Sequence, residues 1–268
     1  MKPVNFAAYK YIYTTRIEKS LAYRFDVFAG ILFQCIVMFA TAFFWKALFA
    51  GTASVQGVAV NDMLTYTVIS AVMSVFLAPN VEQRVIESVR QGTVAADMLK
   101  PIRLFGEYFA EDLGMCTALI FQNALPILAI ASLCITVPKP ASCGAFLLFL
   151  LSFAMSFFIN WLLAAIFSMC AFTLMDMSAL VQVKRHLIRL LSGSIIPIWF
   201  FPGWLANILR FLPFIYIYQL PLELYIGKGS LSAQLPQMGI QAAWLFLLLS
   251  AFLILEKRVL RNVLIQGG

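Results

Sequence analysis

Six stretches of this chain run for about a membrane thickness or more without a charged residue: Val27 to Trp45, Met63 to Val81, Leu113 to Pro138, Pro140 to Met175, Leu190 to Leu209 and Gly229 to Leu255. A helix rising 1.5 Å per residue needs roughly 20 residues to cross about 30 Å of hydrocarbon, so each run holds one crossing. The run from Pro140 to Met175 contains no turn signal and reads as one long, tilted helix with an external lead-in. A water-soluble domain carries about a quarter charged residues, with its apolar positions confined to one face. Here 12% of residues are charged, 62% are hydrophobic and the mean hydropathy is +0.91, so the bilayer must serve as solvent. The expected fold class is all-α, a polytopic membrane protein with six transmembrane helices in a single transmembrane domain over residues 1–268.

The cations orient it, because lysines and arginines flanking spans are retained in the cytoplasm. With both termini inside, Lys2, Lys10, Arg16, Lys19 and Arg24 precede the first span, and Arg84, Arg90, Lys100 and Arg103 follow the second. Lys184, Arg185 and Arg189 follow the fourth, and Lys257, Arg258 and Arg261 follow the sixth. Only Lys46, Lys139, Arg210 and Lys228 remain outside. The net charge of +7 is therefore a topology signal spread among spans, and nucleic acid is not an expected partner. The expected location is the inner (plasma) membrane. A cleaved signal peptide is not expected, since the first apolar run begins only near Phe25 and exceeds the roughly 7 to 15 residues of a signal core.

Residues 1–24 carry Phe6, Tyr9, Tyr13, Ile17 and Leu21 at intervals of three or four among Lys10, Arg16 and Lys19. That pattern predicts an amphipathic helix lying at a membrane interface. In the cytoplasmic loop over residues 81–103, Val81, Val85 and Val89 form one face of a short helix, with Glu82, Arg84, Glu87 and Arg90 on the remaining surface. Gly92 is expected to end it, and Thr93 to cap a second short turn through Ala95, Ala96 and Asp97. That turn stops at Lys100-Pro101, because proline forces its predecessor out of helical geometry.

Beyond the fifth run, Trp204 to Leu212 and Phe214 to Tyr225 are apolar pieces too short to span, separated by Pro213. They predict a segment over residues 203–230 that enters the membrane from outside and returns, packed against protein that satisfies its backbone. Ser152, Ser156, Asn160, Ala164 and Ser168 repeat every four residues along the fourth span, and Ser70, Ser74 and Ala78 along the second, the spacing of a helix-packing seam. Gln34, Gln122 and Asn123 either line a path or pair with neighbouring helices. Glu107, Glu111 and Asp112 at the inner start of the third span, and Asp176 near the inner end of the fourth, are expected to pair with Arg103 or the basic loop.

Catalytic chemistry finds little support. His186 is the only histidine and follows Lys184 and Arg185 in what reads as a cytoplasmic turn, while Cys35, Cys116 and Cys170 are mid-span apolar residues without metal-ligand spacing. Cys134 and Cys143 flank one external loop, as a disulfide or as free thiols. There is no G-x-x-x-x-G-K-[ST] run, and Gly227-Lys228-Gly229-Ser230 lacks the earlier glycine of a phosphate-binding loop.

The basic N-terminal helix, the six runs and the segment EQRVIESVRQGTVAADMLKP from Glu82 to Pro101 resemble the permease subunits of ABC-2 type exporters, in particular the short permeases. The likeness covers essentially the whole chain, and continues through Leu191-Ser192-Gly193, Ile196-Pro197, Phe201-Pro202, Leu212-Pro213-Phe214, Pro221 and Ile226-Gly227. The resemblance implies a transport subunit that is not an enzyme, binds no cofactor and draws on ATP and Mg held by separate ABC ATPase subunits. It implies that residues 81–103 form the coupling helix seated in that ATPase, with Glu82, Arg84, Glu87, Arg90, Gly92, Asp97, Lys100 and Pro101 as coupling residues. Pro202, Pro213, Pro221 and Gly227 would shape an external lid. A second permease subunit, identical or related, would complete the path within the lipid bilayer, for a hydrophobic or amphiphilic substrate moved outward. The competing class, an ion-gradient-driven secondary transporter or channel, predicts paired halves with discontinuous helices in both, whereas the proline breaks here concentrate in the second half.

Overall fold

The computed structural model describes residues 6–22, 24–51, 54–55, 57–135, 139–174 and 177–266. Lys2 and Asp176, and the run ends Pro138 and Met175, lie outside the described residues. The helices are α1 (Phe6–Ala22), α2 (Arg24–Leu48), α3 (Val60–Phe76), α4 (Val81–Arg90), α5 (Val94–Leu99) and α6 (Leu104–Leu119). They continue with α7 (Leu125–Cys134), α8 (Cys143–Ser168), α9 (Ser178–Leu191), α10 (Gly203–Leu209), α11 (Gln219–Ile226) and α12 (Leu231–Gln266). Among the described residues the only strands are Ser54–Val55 and Val58–Ala59, a hairpin between α2 and α3.

Among the described residues, five helical stretches are long and apolar enough to cross a bilayer: Val27–Leu48, Val60–Arg90, Leu104–Cys134, Cys143–Phe172 and Ser232–Arg261. Their outward faces are apolar: α2 alone exposes Phe25, Phe28, Leu32, Phe33, Ile36, Phe43 and Phe44. Water would penalise such a surface and hydrocarbon does not. Between α6 and α7 the ladder widens into a π-type turn over Ile120–Ala124. Pro126 follows directly and has no N–H to donate, the usual cause of a local shift of this kind.

The run from Leu190 to Leu209 is not one helix. α9 ends at Leu191, Gly193 takes φ +81°, and Pro197 and Pro202 keep the chain from resuming until α10. A Cβ at Gly193 would collide with Gln219 Oε1, so the position requires glycine both for its backbone and for its neighbour. The chain folds back here: Gln219 N–H donates to the Ser192 carbonyl (3.0 Å) and Ile198 N–H to Gln219 Oε1 (3.0 Å).

A broken stretch leaves backbone groups without ladder partners, and buried polar groups must find others. The long helices supply them. Tyr66 of α3 donates to the Gly193 carbonyl, and Ser70 donates to that of Ser194 at 2.7 Å. Ser156 of α8 and Gln241 of α12 donate to the Tyr216 carbonyl at 2.8 and 2.9 Å, and Ser152 donates to Gln241 Oε1 at 2.9 Å. The four-residue series on α8 is buried throughout and its Asn160 donates to the Leu77 carbonyl just past the end of α3 (2.9 Å). Gln34 donates to Ser74 and to the Ala71 carbonyl, and it also lines the cavities between α2, α3 and α9.

α1 forms where the pattern predicts, but its tyrosine face is spent on α6. Arg103 N–H donates to the Tyr9 hydroxyl, Tyr13 to Thr117 and Ser20 to Gln122, so contacts advance along both helices in the same sense. Gly106 and Gly114 make room: a Cβ would sit 2.7 Å from Tyr9 Oη and 2.6 Å from the Tyr13 carbonyl oxygen. Cys134 and Cys143 are both free and exposed.

Candidate functional site

The end of the molecule that carries α4 and α5 is an exposed knob on a clamped base. α4 buries Val81, Val85 and Ile86, the i, i+4 stripe of an amphipathic helix, and leaves Val89 half-buried. Glu82 departs from the sequence reading: instead of lying on the open surface it is buried, and Lys184 of α9 donates to its Oε1. The reason is the neighbour. α9 passes beside the first turn of α4 and carries a cation at that height, and a buried carboxylate needs such a partner.

The other ties are equally specific. Arg84 pairs with Glu111 of α6 and lies over the Tyr108 ring, 5.9 Å from its centre. Asp112 of α6 accepts from Asn80 N–H at the start of α4 (3.1 Å) and from Trp161 Nε1 of α8 (2.9 Å). An anion at a helix N-terminus is favourably placed. Lys100 pairs with Asp97 (2.9 Å) and with Glu107 of α6 (2.7 Å). Glu107 and Glu111 thus pair with Lys100 and Arg84 of the loop, while Asp112 accepts from a backbone N–H and an indole and pairs with no cation among the described residues. Burial alone would lower the Lys100 pKa; its bonds to Asp97 and Glu107 outweigh that and hold the ammonium above the ordinary lysine value.

Between these ties the tip is open. Gly92 has φ +71° and separates α4 from α5, and Lys100 is extended before Pro101. Thr93 does not cap α5 with its side chain; its hydroxyl turns back to Ser88 instead. Ser88 also donates to Asp97 (3.2 Å), so the two short helices are stitched at their bases. Glu87 accepts from Gln83 (2.7 Å), while Arg90, Gly92, Lys100 and Pro101 are exposed and Leu99 is 86% exposed.

The four punctuating residues of the opposite region hold short elements. Pro202 stands at the start of α10, Pro213 begins a 3-10 turn, Pro221 lies in the first turn of α11, and Gly227 ends α11 at φ +68°. A Cβ on Gly227 would reach 2.5 Å from the Ala141 Cβ, beside the bond from Ala141 N–H to the Tyr225 carbonyl.

A groove joins the two regions. Two adjoining cavities of about 180 and 50 Å³ between α2, α3 and α9 share Gln34, Val37, Ser74, Arg189 and Tyr218. One reaches the clamped base at Pro79, Glu82 and Lys184; the other reaches Tyr66, Ser70 and Ser194 at the chain break. Arg185, His186 and Arg189 lie within α9 rather than in a turn, and all three are exposed. Among the described residues neither arginine forms a salt bridge. The sequence reading assigned these cations to a loop because it began the fifth apolar run only after Arg189. It also missed Gly106 and Gly114, although Gly106, Ala110, Gly114 and Ala118 repeat every four residues.

A family model described as an ABC-2 family transporter protein matches residues 35–267. A comparison with curated proteins finds no match.

Proposed function

The chain belongs to the ABC-2 family of transporter proteins, and from that premise we propose that it is the permease subunit of an ATP-driven exporter. It is a multi-pass membrane protein and a transport component. In the reading proposed, ATP with Mg is bound and hydrolysed on separate ATPase subunits. The observation that carries this reading is the knob: a tip exposed from Arg90 to Thr93 and at Ala95, Ala96 and Leu99, on a base tied directly to α6 and α9 and through Asp112 to α8. A partner pushing on Leu99 and Arg90 would load those three helices at once, through bonds that do not stretch far without breaking.

In this account α9 and the residues after it make the fifth of six crossings, with both termini in the cytoplasm, and residues 203–230 return from outside into the membrane. The fold-back is held by buried serine, tyrosine and glutamine side chains, the condition under which irregular backbone is tolerated at membrane depth. The groove between α2, α3 and α9 is one wall of the path. A second permease subunit facing it encloses the exposed arginines, which lipid would penalise by roughly 2.5 to 3.5 kcal/mol each at mid-depth. The substrate is an amphiphile moved outward.

Purification in mild detergent tests the partnership. The wild-type permease retains an ATPase subunit whose hydrolysis it stimulates; a protein that transports in liposomes on an ion gradient, with no ATPase bound, contradicts the reading.

A further inference from the structure

Away from the knob and the groove, a cleft of about 520 Å³ lies between α1, α2 and the π-type turn after α6. Arg16 and Lys19 of α1 form its rim. Met115, Leu119 and Val27 line it with apolar surface, and Gln122 and Asn123 with amides. The volume falls within the roughly 300 to 1,000 Å³ of small-molecule sites.

Its polar groups are unevenly satisfied. Gln122 is fully engaged by Ser20, accepting at Oε1 (3.0 Å) and donating to the Ser20 carbonyl (3.1 Å). Asn123 is 8% exposed and its Oδ1 has no hydrogen-bond partner among the described residues. Among the described residues no carboxylate lines the cleft and no ion pair is formed by Arg16 or Lys19. The cleft therefore offers two uncompensated cations above a buried, unpartnered amide, at a π-type turn of the kind that often marks a functional position.

The surroundings decide the kind of anion. Leu21, Phe25 and Phe28 are exposed beside Val27, by 52%, 80% and 65%, so the flank faces hydrocarbon rather than water. Basic pockets between membrane helices near the cytoplasmic surface recognise anionic headgroups. We propose that this cleft binds one anionic phospholipid from the leaflet on the knob side. Arg16 and Lys19 hold the phosphate, Asn123 turns its amide toward the ester region, and the chains lie along Leu119, Val27 and the exposed phenylalanines. The lipid would pin α1 to α6, adding to the seam at Gly106 and Gly114.

The test uses the full-length protein in mild detergent, read by native mass spectrometry and thermal unfolding, with phosphatidylglycerol, phosphatidylcholine of the same chains, or glycerol phosphate added. The proposal expects one tightly retained phosphatidylglycerol per chain and a rise in Tm that neither of the others gives. Replacing Arg16 and Lys19 together by glutamine cuts retention about tenfold or more and abolishes the rise, leaving lipid-free Tm unchanged. Lys257→Gln with Arg258→Gln, an equal charge loss on exposed positions of α12, leaves both intact. If the first double variant does not fold, Asn123→Asp, which sets an anion inside the cleft, must weaken phosphatidylglycerol and not phosphatidylcholine. Equal retention of the two lipids, or an effect of the α12 variant as large as that of the cleft variant, overturns the proposal. A rise with glycerol phosphate alone also overturns it, making the cleft a soluble-anion site.

Discussion

Glu82 and Lys184 are the residues through which the knob is tied to α9, with side chains 2% and 18% exposed. Removing one member of a buried pair strands the other charge, at a cost of about 3 to 5 kcal/mol, whereas replacing both by apolar groups is often neutral. Lys184→Met is therefore expected to lower Tm in detergent strongly, and Glu82→Leu with Lys184→Met to recover most of the loss. Additive losses would show that the two do not act as a pair. Lys100 behaves differently. Its folded pKa lies above the ordinary value of 10.5, so its contribution is complete below that pH and is lost only as pH rises through the higher folded value. Lys100→Gln should lower Tm equally at pH 6 and pH 9; a penalty that disappears by pH 9 would contradict the clamp.

At the scale of elements, the seam between α1 and α6 separates two kinds of glycine. At Gly114 an added methyl meets backbone, the Tyr13 carbonyl, while at Gly106 it meets the tip of the Tyr9 ring, which can swing away. Gly114→Ala should expose α1 to limited proteolysis or label, and Gly106→Ala should do so less; equal protection in both would disprove the packing. Gly193→Ala combines a left-handed backbone with a collision against Gln219 and should cost about 1 to 3 kcal/mol. Gly203→Ala, where nothing lies within 4 Å, should cost far less. These positions also mark how far sequence reaches. The long runs, the α4–Gly92–α5 break and the four-residue series on α8 were legible because each is a local periodicity or a backbone requirement. The inward turn of Glu82 was not, because a charge is read as solvent-facing until a partner from a distant element is known to pass beside it. α9 hid for a related reason: its cations fell between two apolar runs, so charge-free length placed the helix about a dozen residues too late.

For the whole molecule, the arrangement proposed is a lever. An open tip stands on a base bound to α6, α8 and α9; the groove begins at that base and ends where the chain breaks at Gly193. In the proposed mechanism, motion entering at the tip passes through this base to the fold-back after α9, as a permease driven by a separate ATPase requires. Leu99 is the most direct probe, since it is 86% exposed. Leu99→Glu in the wild-type membrane background should leave expression and Tm unchanged while weakening ATPase retention about tenfold or more, as expected of an apolar anchor at an interface. Full retention of the ATPase and unchanged ATP-driven export in that variant would contradict the central claim that this knob is where the partner engages.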